Sequence, residues 1–401
     1  MRLAVVSPFL DRSHGTELCI IEQIERLATQ HGWEIHIYSQ RVEDVRGLKL
    51  DDCSSAPGEI SWHQVSDIPG PHLFKFLWWV FANRRLRHND RAAGRCRPDV
   101  TYSPGINSFD ADAIVVHIVF CEFYARIRPR LRLRNLALRS WPVTIHRILY
   151  YRLIMFLERR IYTNPDVHLA AVSQLVANQL RDYFHRDDVV LIPNAVDTSR
   201  FDFATRLNRR ETCRKLFGLT DSQFVLLLIG NDWKKKGLEQ LLRALELDLD
   251  LPLQLLVVGR DEPSLYTKQI EQTELQHRVT FLTPSSDVMQ FYAAADAYVG
   301  PSLEDAFGLP VIEAMACGLP VIASIRAGVS EIIEDGVNGL LLRQPDQVDD
   351  LAAMLRMLAQ DSALRERLGA AAAQTALRYT WDRNANQTHD FLLAAADAQR
   401  A

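Results

Sequence analysis

In the second half of the chain, predominantly apolar runs alternate with stretches of helical period. Phe224–Gly230 precedes Leu238–Leu247, Gln254–Gly259 precedes Ser264–Leu275, and Val279–Leu282 precedes Val288–Ala295. Ala297–Gly300 then leads into Leu309–Cys317, and Pro320–Ala323 into Val329–Glu334. A strand that is apolar on both faces must be covered on both, and helical crossovers do this in a parallel sheet. The first half repeats the pattern with more interruptions: strand Leu3–Ser7, helix Glu17–Thr29, then strands at Glu34–Tyr38, Val100–Ser103, Ala113–His117 and Val167–Val172. The pattern predicts an α/β chain with two doubly wound units, residues 1–190 and 191–379. The linker is expected over Asp187–Phe201, where Pro193-Asn194 and Asp197 break both periods. Residues 380–401 are expected to form a last helix that packs back on the first unit.

Length agrees, because 401 residues exceed one ordinary domain. With 48% apolar and 24% charged residues the chain can build buried cores. A net charge of −4 argues against a bulk-basic nucleic-acid binder. The six cysteines are scattered, with no CxxC pair, which excludes a zinc ribbon and makes a reducing cytosol the expected setting. No apolar run reaches the ~20 residues of a membrane span, and Met1–Pro8 reads as a first strand, not a signal peptide. Charge is uneven, however. Residues 72–160 carry 17 basic and 6 acidic side chains, a block suited to meeting something negative.

Two-domain α/β chains are often dehydrogenases, yet none of the 18 glycines stand two apart, so GxGxxG is absent. GxxxxGK[ST] and GxSxG are absent too, which disfavours P-loop and α/β-hydrolase chemistry. The most informative stretch is Pro301–Val321, where two acids and Gly308 stand between an apolar strand and a helix. A glycine there lets the free N–H groups of the helix start cradle a diphosphate, while Asp305 and Glu313 hold sugar or ribose hydroxyls. Spacing alone equally allows an acidic loop, a solvated helix residue and a glycine cap.

This stretch resembles the signature of the retaining glycosyltransferases of family four, E-x-F-G-L-x-x-x-E-A-M-A-x-G-x-P-V. Glu313 matches the second acid, Asp305 stands for the first, and Glu304 lies beside it. Ser13-His14-Gly15-Thr16-Glu17 resembles the family's glycine-rich turn, with His14 in place of the first glycine. Ile229-Gly230-Asn231 through Lys236-Gly237-Leu238 resembles its Gly-Arg…Lys-Gly loop, with Asn231 in place of arginine. Ala171-Val172-Ser173, Ile192–Asp197, Val258-Gly259, Phe281, Tyr292 and Glu331 also fit, so the resemblance spans almost the whole chain.

The resemblance implies a GT-B architecture, two facing Rossmann-like domains with parallel sheets, the first binding acceptor and the second a nucleotide sugar. His117, Lys236, Asp305 and Glu313 are then the expected catalytic residues. Gly15, Thr16, Asn231, Gly259, Glu304, Phe307, Gly308 and Leu309 are the expected donor-binding residues. Lys236 neutralises the leaving diphosphate and His117 touches the donor sugar. No metal or cofactor is expected, and the donor is a nucleotide sugar, UDP ahead of GDP and ADP. The acceptor is a saccharide or glycolipid, and the product belongs to envelope polysaccharide or glycolipid synthesis.

Two Asp-x-Asp pairs, Asp110/Asp112 and Asp248/Asp250, do not follow strand ends and are expected as solvated caps, not a metal site. The aromatic run Leu73–Phe81, the arginines Arg84, Arg85, Arg87 and Arg91, and those at 126–139 have two readings. They suit an anionic membrane surface, which implies a peripheral place on the inner face of the plasma membrane. Otherwise the aromatics fill the core and the arginines are a solvated face. Nucleic acid is not an expected partner. The competing functions are a GT-B-like sugar-nucleotide epimerase and a catalytically weak membrane-surface binding protein.

Overall fold

The computed structural model describes residues 1–50, 56–128 and 141–400. Cys53 and the arginines at 130, 132, 134 and 139 lie outside the described residues. The chain divides into two compact units, Met1–Pro193 with Trp381–Ala401, and Asn194–Thr380.

Unit 1 holds an eight-stranded, all-parallel sheet. Its strands lie in the order Val190–Leu191, His168–Ala171, Ala113–Val116, Val100–Ser103, Arg2–Val6, Glu34–Ser39, Ile60–Gln64 and Leu48–Leu50. Helix Gly15–His31 follows the first strand and ends at Gly32, which takes the left-handed turn at φ 64°. The last helix, Trp381–Arg400, packs on it and buries Ala385, Leu392 and Ala396 fully. Buried Asn384 pins that contact, accepting from Gln23 Nε2 and donating to the Pro193 carbonyl.

Strand Ile60–Gln64 was not foreseen, because its interior is polar. His63 meets His36 of the neighbouring strand ring to ring, with 2.9 Å between Nε2 and Nδ1. His36 also meets Glu34, and Asp90 accepts from Tyr38 nearby. Hydrogen bonding within the sheet lets these polar groups be buried without loss.

Unit 2 holds a six-stranded parallel sheet in the order Val279–Leu282, Leu253–Val258, Phe224–Ile229, Ala297–Gly300, Val321–Ser324 and Leu340–Leu342. The first five of these strands in chain order agree with the apolar pattern to within a residue. The stretch Val329–Glu334 is a short 3-10 turn, Gly328–Ile332, instead of an α-helix. Strand Leu340–Leu342, only three residues, gives no periodic signal. Leu226, Leu228, Leu255, Val257, Leu241, Leu245 and Leu355 meet in the core between sheet and helices. Burying a leucine side chain contributes roughly 1.5–3 kcal/mol, so this layer holds the strand ends that carry the site in place.

Two expectations are corrected. Asp248 is buried and paired with Arg356 at 2.6 Å, and Asp110 bonds the buried Arg87. Asp248 is therefore not a solvated cap, whereas Asp110 stays exposed while pairing with an arginine. The aromatic run splits as well: Trp79 is buried while Phe74, Leu77 and Phe81 are exposed.

Candidate active site

The donor-type residues of unit 2 sit on loops at the carboxyl ends of adjacent parallel strands, the usual ligand end of such a sheet. Strand Phe224–Ile229 runs into the loop 230–237, and strand Leu253–Val258 into Gly259–Asp261. The two loops are laced together. Asp261 accepts the N–H groups of Asp232 and Trp233, and Asn231 Oδ1 accepts the Arg260 N–H at 3.1 Å. Asn231 therefore works as a loop tie to the Arg260 backbone. At Gly259 a Cβ would stand 2.4 Å from the Gly230 carbonyl oxygen and from Trp233 Nε1, so only glycine fits. Trp233 is buried against Phe281, and its indole N–H has no partner among the described residues.

A third loop follows strand Ala297–Gly300. The Leu303 N–H donates to the Lys235 carbonyl at 2.7 Å, joining this loop to the lysine loop. Its other side is fixed to 326–329: Asp305 N–H to the Arg326 carbonyl, and Gly328 and Val329 N–H to the carbonyls of Asp305 and Phe307. Phe307 is buried as an anchor. Gly308 then takes φ 101°, a backbone form open to glycine, and helix Leu309–Ala316 begins with its N–H groups unpaired by any side-chain cap. Pro310 occupies the first turn of that helix, where its missing N–H costs nothing.

These loops bring Lys236 and Asp305 together, with 2.5 Å between Nζ and Oδ2 and both side chains about four-fifths buried. Glu313 lies within the helix and accepts a 2.6 Å hydrogen bond from the Tyr292 hydroxyl. Burial pushes the Glu313 carboxyl up to about 7, against the opposing pull of Tyr292 and of the positive Arg200. Glu313 therefore changes charge near neutrality. Glu304, half-buried, precedes the paired Asp305.

In unit 1, Gly15 and Thr16 open helix Gly15–His31, whose N-cap His14 supplies no side-chain cap. The free N–H groups there suit an anion. His14 is instead turned to Asp11, 2.7 Å away. His117 follows strand Ala113–Val116 and is buried, and its Nε2 has no partner among the described residues. Burial pushes its imidazole down to about 4, so it is neutral at pH 7. The candidate residues thus form two sets: Gly15, Thr16 and His117 in unit 1, and the remaining nine in unit 2. Among the described residues, no three His, Cys, Asp or Glu side chains gather as a metal site would require.

Sequence reasoning gave Tyr292 no role and passed over Arg200, Arg260 and Asp261. Of these only Asp261 had a local signal, an acid two residues beyond the Val258-Gly259 strand end.

Two family models match in tandem. Glycosyltransferase Family 4 matches residues 13–200, and Glycosyl transferases group 1 matches residues 209–375. The D-inositol 3-phosphate glycosyltransferase of Stackebrandtia nassauensis is 34% identical over 257 residues, 60% of this chain and 56% of that protein. That of Actinosynnema mirum is 33% identical over 254 residues, 59% of this chain and 58% of that protein. The chain thus spans a little over half the length of these relatives. Among solved structures, WaaG, a glycosyltransferase involved in lipopolysaccharide biosynthesis, superposes with a TM-score of 0.76 at 19% identity, covering 97% of this chain and 99% of that one. HepE of Anabaena, solved with UDP and glucose, gives 0.70 at 19% identity, covering 98% of this chain and 100% of that one. The fold is that of the GT-B enzymes, and with both halves matched in order the chain belongs to glycosyltransferase family 4, among the group 1 glycosyltransferases.

Proposed function

We propose that the chain is a retaining glycosyltransferase that moves a hexosyl group from a nucleotide diphosphate sugar, UDP before GDP or ADP, to a hydroxyl of a saccharide or glycolipid acceptor. The observation that carries this reading is the unit 2 constellation: Lys236 on Asp305, the uncapped helix start after Gly308, and Glu313 held by Tyr292. A diphosphate at that helix start receives backbone N–H groups and the Lys236 ammonium, which stabilise the negative charge as the bond to the sugar breaks. Glu313 as a carboxylate accepts hydrogen bonds from ribose hydroxyls. His117, neutral and with an unpartnered nitrogen, hydrogen-bonds a sugar hydroxyl instead of carrying charge. In the retaining course the acceptor oxygen bonds the anomeric carbon on the face the diphosphate leaves, and the acceptor proton passes to the departing phosphate oxygen. That course asks the protein for positioning and charge stabilisation, not for a nucleophile. HepE, of the same fold, was solved with UDP and glucose, which favours UDP among donors.

The test is a screen of nucleotide release from UDP-, GDP- and ADP-sugars, followed by Lys236→Ala on the best donor. With no arginine at position 231, Lys236 bears more of the charge, and its loss lowers kcat/KM by ~2–4 kcal/mol equivalent. Unchanged kcat/KM in the variant would remove Lys236 from the mechanism.

A further inference from the structure

Helix His72–Ala92 of unit 1 packs Trp79, flanked by Val80, Ala82 and Leu86, against Ala4, Val6, Tyr38 and Val65, yet its buried stripe is otherwise polar. The residues it buries are Trp79, Asn83, Arg87 and Asp90, three of them polar or charged. Arg87 reaches Asp110, Ser108 and Asn83 from that stripe, so the inward face is held by hydrogen bonds. The opposite face carries Phe74, Leu77 and Phe81, exposed to 59%, 47% and 54%. Arg84, Arg85 and His88 continue the same face and are also exposed. At 3.6 residues per turn these six positions fall within an arc of about 100°, apolar at the N-terminal end and basic at the C-terminal end. Phe109, itself exposed, closes a groove of about 600 Å³ against Leu77, Phe81 and the two arginines.

Helix Trp141–Tyr162 packs beside it, with Phe76 edge-on to Tyr150. That helix also leaves an apolar stripe, Ile145, Leu149 and Phe156, in water, with the exposed Arg152 between them. Single exposed hydrophobics need no account, but here each of two touching helices leaves three of them in register along one stripe.

We infer that this face of unit 1 docks on the surface of a bilayer containing anionic lipid, with Phe74, Leu77 and Phe81 entering among the acyl chains and Arg84 and Arg85 on the lipid phosphates. The charge pattern selects that occupant. A protein partner suits an apolar stripe with a mixed rim, whereas here cations follow the apolar residues along the same line, as a headgroup follows its chain. The membrane reading of the sequence drew on Leu73–Phe81, Arg84, Arg85, Arg87 and Arg91 as well as the arginines at 126–139; the inference narrows the contact to helix His72–Ala92, with Arg87 turned inward. The inference rests on that helix and not on sugar transfer.

Co-sedimentation of the full chain with phosphatidylcholine vesicles, with or without phosphatidylglycerol, tests it. The wild type pellets with the phosphatidylglycerol vesicles at low salt, stays in solution with phosphatidylcholine alone, and is released as salt rises. Each basic residue near an anionic leaflet strengthens attachment about fivefold, so Arg84→Gln with Arg85→Gln weakens it about 30-fold. Leu77→Ser with Phe81→Ser also releases the protein, with an unchanged melting temperature because both side chains lie outside the core. UDP binding by unit 2 persists in all variants, so the outcome is separable from the proposed activity. Three results overturn the inference: wild type that ignores phosphatidylglycerol vesicles at low salt, release by soluble glycerol phosphate at low salt, or a dimer that Leu77→Ser with Phe81→Ser dissolves.

Discussion

Lys236 and Asp305 are 69 positions apart and become neighbours through one backbone hydrogen bond, Leu303 to Lys235, and the close packing of two strand ends. The motif placed each residue on a loop; the pairing depends on tertiary structure that no local spacing encodes. It makes a distinction testable. Asp305 aims the ammonium, so Asp305→Asn leaves Lys236 without its partner and lowers kcat/KM by about 1–3 kcal/mol. Glu304→Gln, which spares that pair, changes kcat/KM by less than about 0.5 kcal/mol. The opposite order in a kinetic comparison would move the working acid to Glu304. Glu313 gives a pH signature. Its carboxyl is raised to about 7, so it is protonated below that pH and accepts ribose hydroxyls above it. Nucleotide affinity, followed by calorimetry, rises as pH increases through about 7. Tyr292→Phe removes a donor that favours the carboxylate, and the midpoint moves upward by roughly one pH unit. A midpoint that stays put, or moves down, would separate Tyr292 from Glu313.

Elements were legible where burial is complete on both faces. Strand Phe224–Ile229 is apolar throughout and Leu253–Val258 at all but Gln254, because helices cover both sides, and the sequence pattern locates them within a residue. Ile60–Gln64 was hidden by its own chemistry, since His63 satisfies its ring nitrogen against His36 and reads as polar. Helix His72–Ala92 was hidden by mixed faces: polar Asn83, Arg87 and Asp90 are buried beside Trp79, while Phe74, Leu77 and Phe81 are exposed. Arg87 anchors that buried polar stripe through Asp110, Ser108 and Asn83. Removing a buried charge partner costs about 3–5 kcal/mol, and the low end applies here because Asp110 keeps part of its hydration. Arg87→Met therefore lowers the urea unfolding free energy by about 3 kcal/mol. A loss under about 1 kcal/mol would mean that Trp79 and its neighbours alone seat the helix.

For the molecule as a whole, the two-unit α/β architecture was legible in the alternation of strands and helices, and the family in a few motifs. The rest lay in the exceptions to those motifs. His14 turns to Asp11, Asn231 ties two loops, and Asp305 pairs with Lys236. Each departure has a local hydrogen-bonding explanation that leaves the helix start at Gly308 uncapped for a diphosphate. The central claim is that this chain transfers a sugar with retained configuration from a nucleotide diphosphate donor. Proton NMR of the turnover mixture, begun with an α-linked UDP-hexose and an accepting alcohol, tests it most directly. Retaining transfer gives UDP together with an α-linked product at early times, and neither with Lys236→Ala over the same interval. A β-linked product, or an isomeric UDP-sugar formed without loss of UDP, would contradict it.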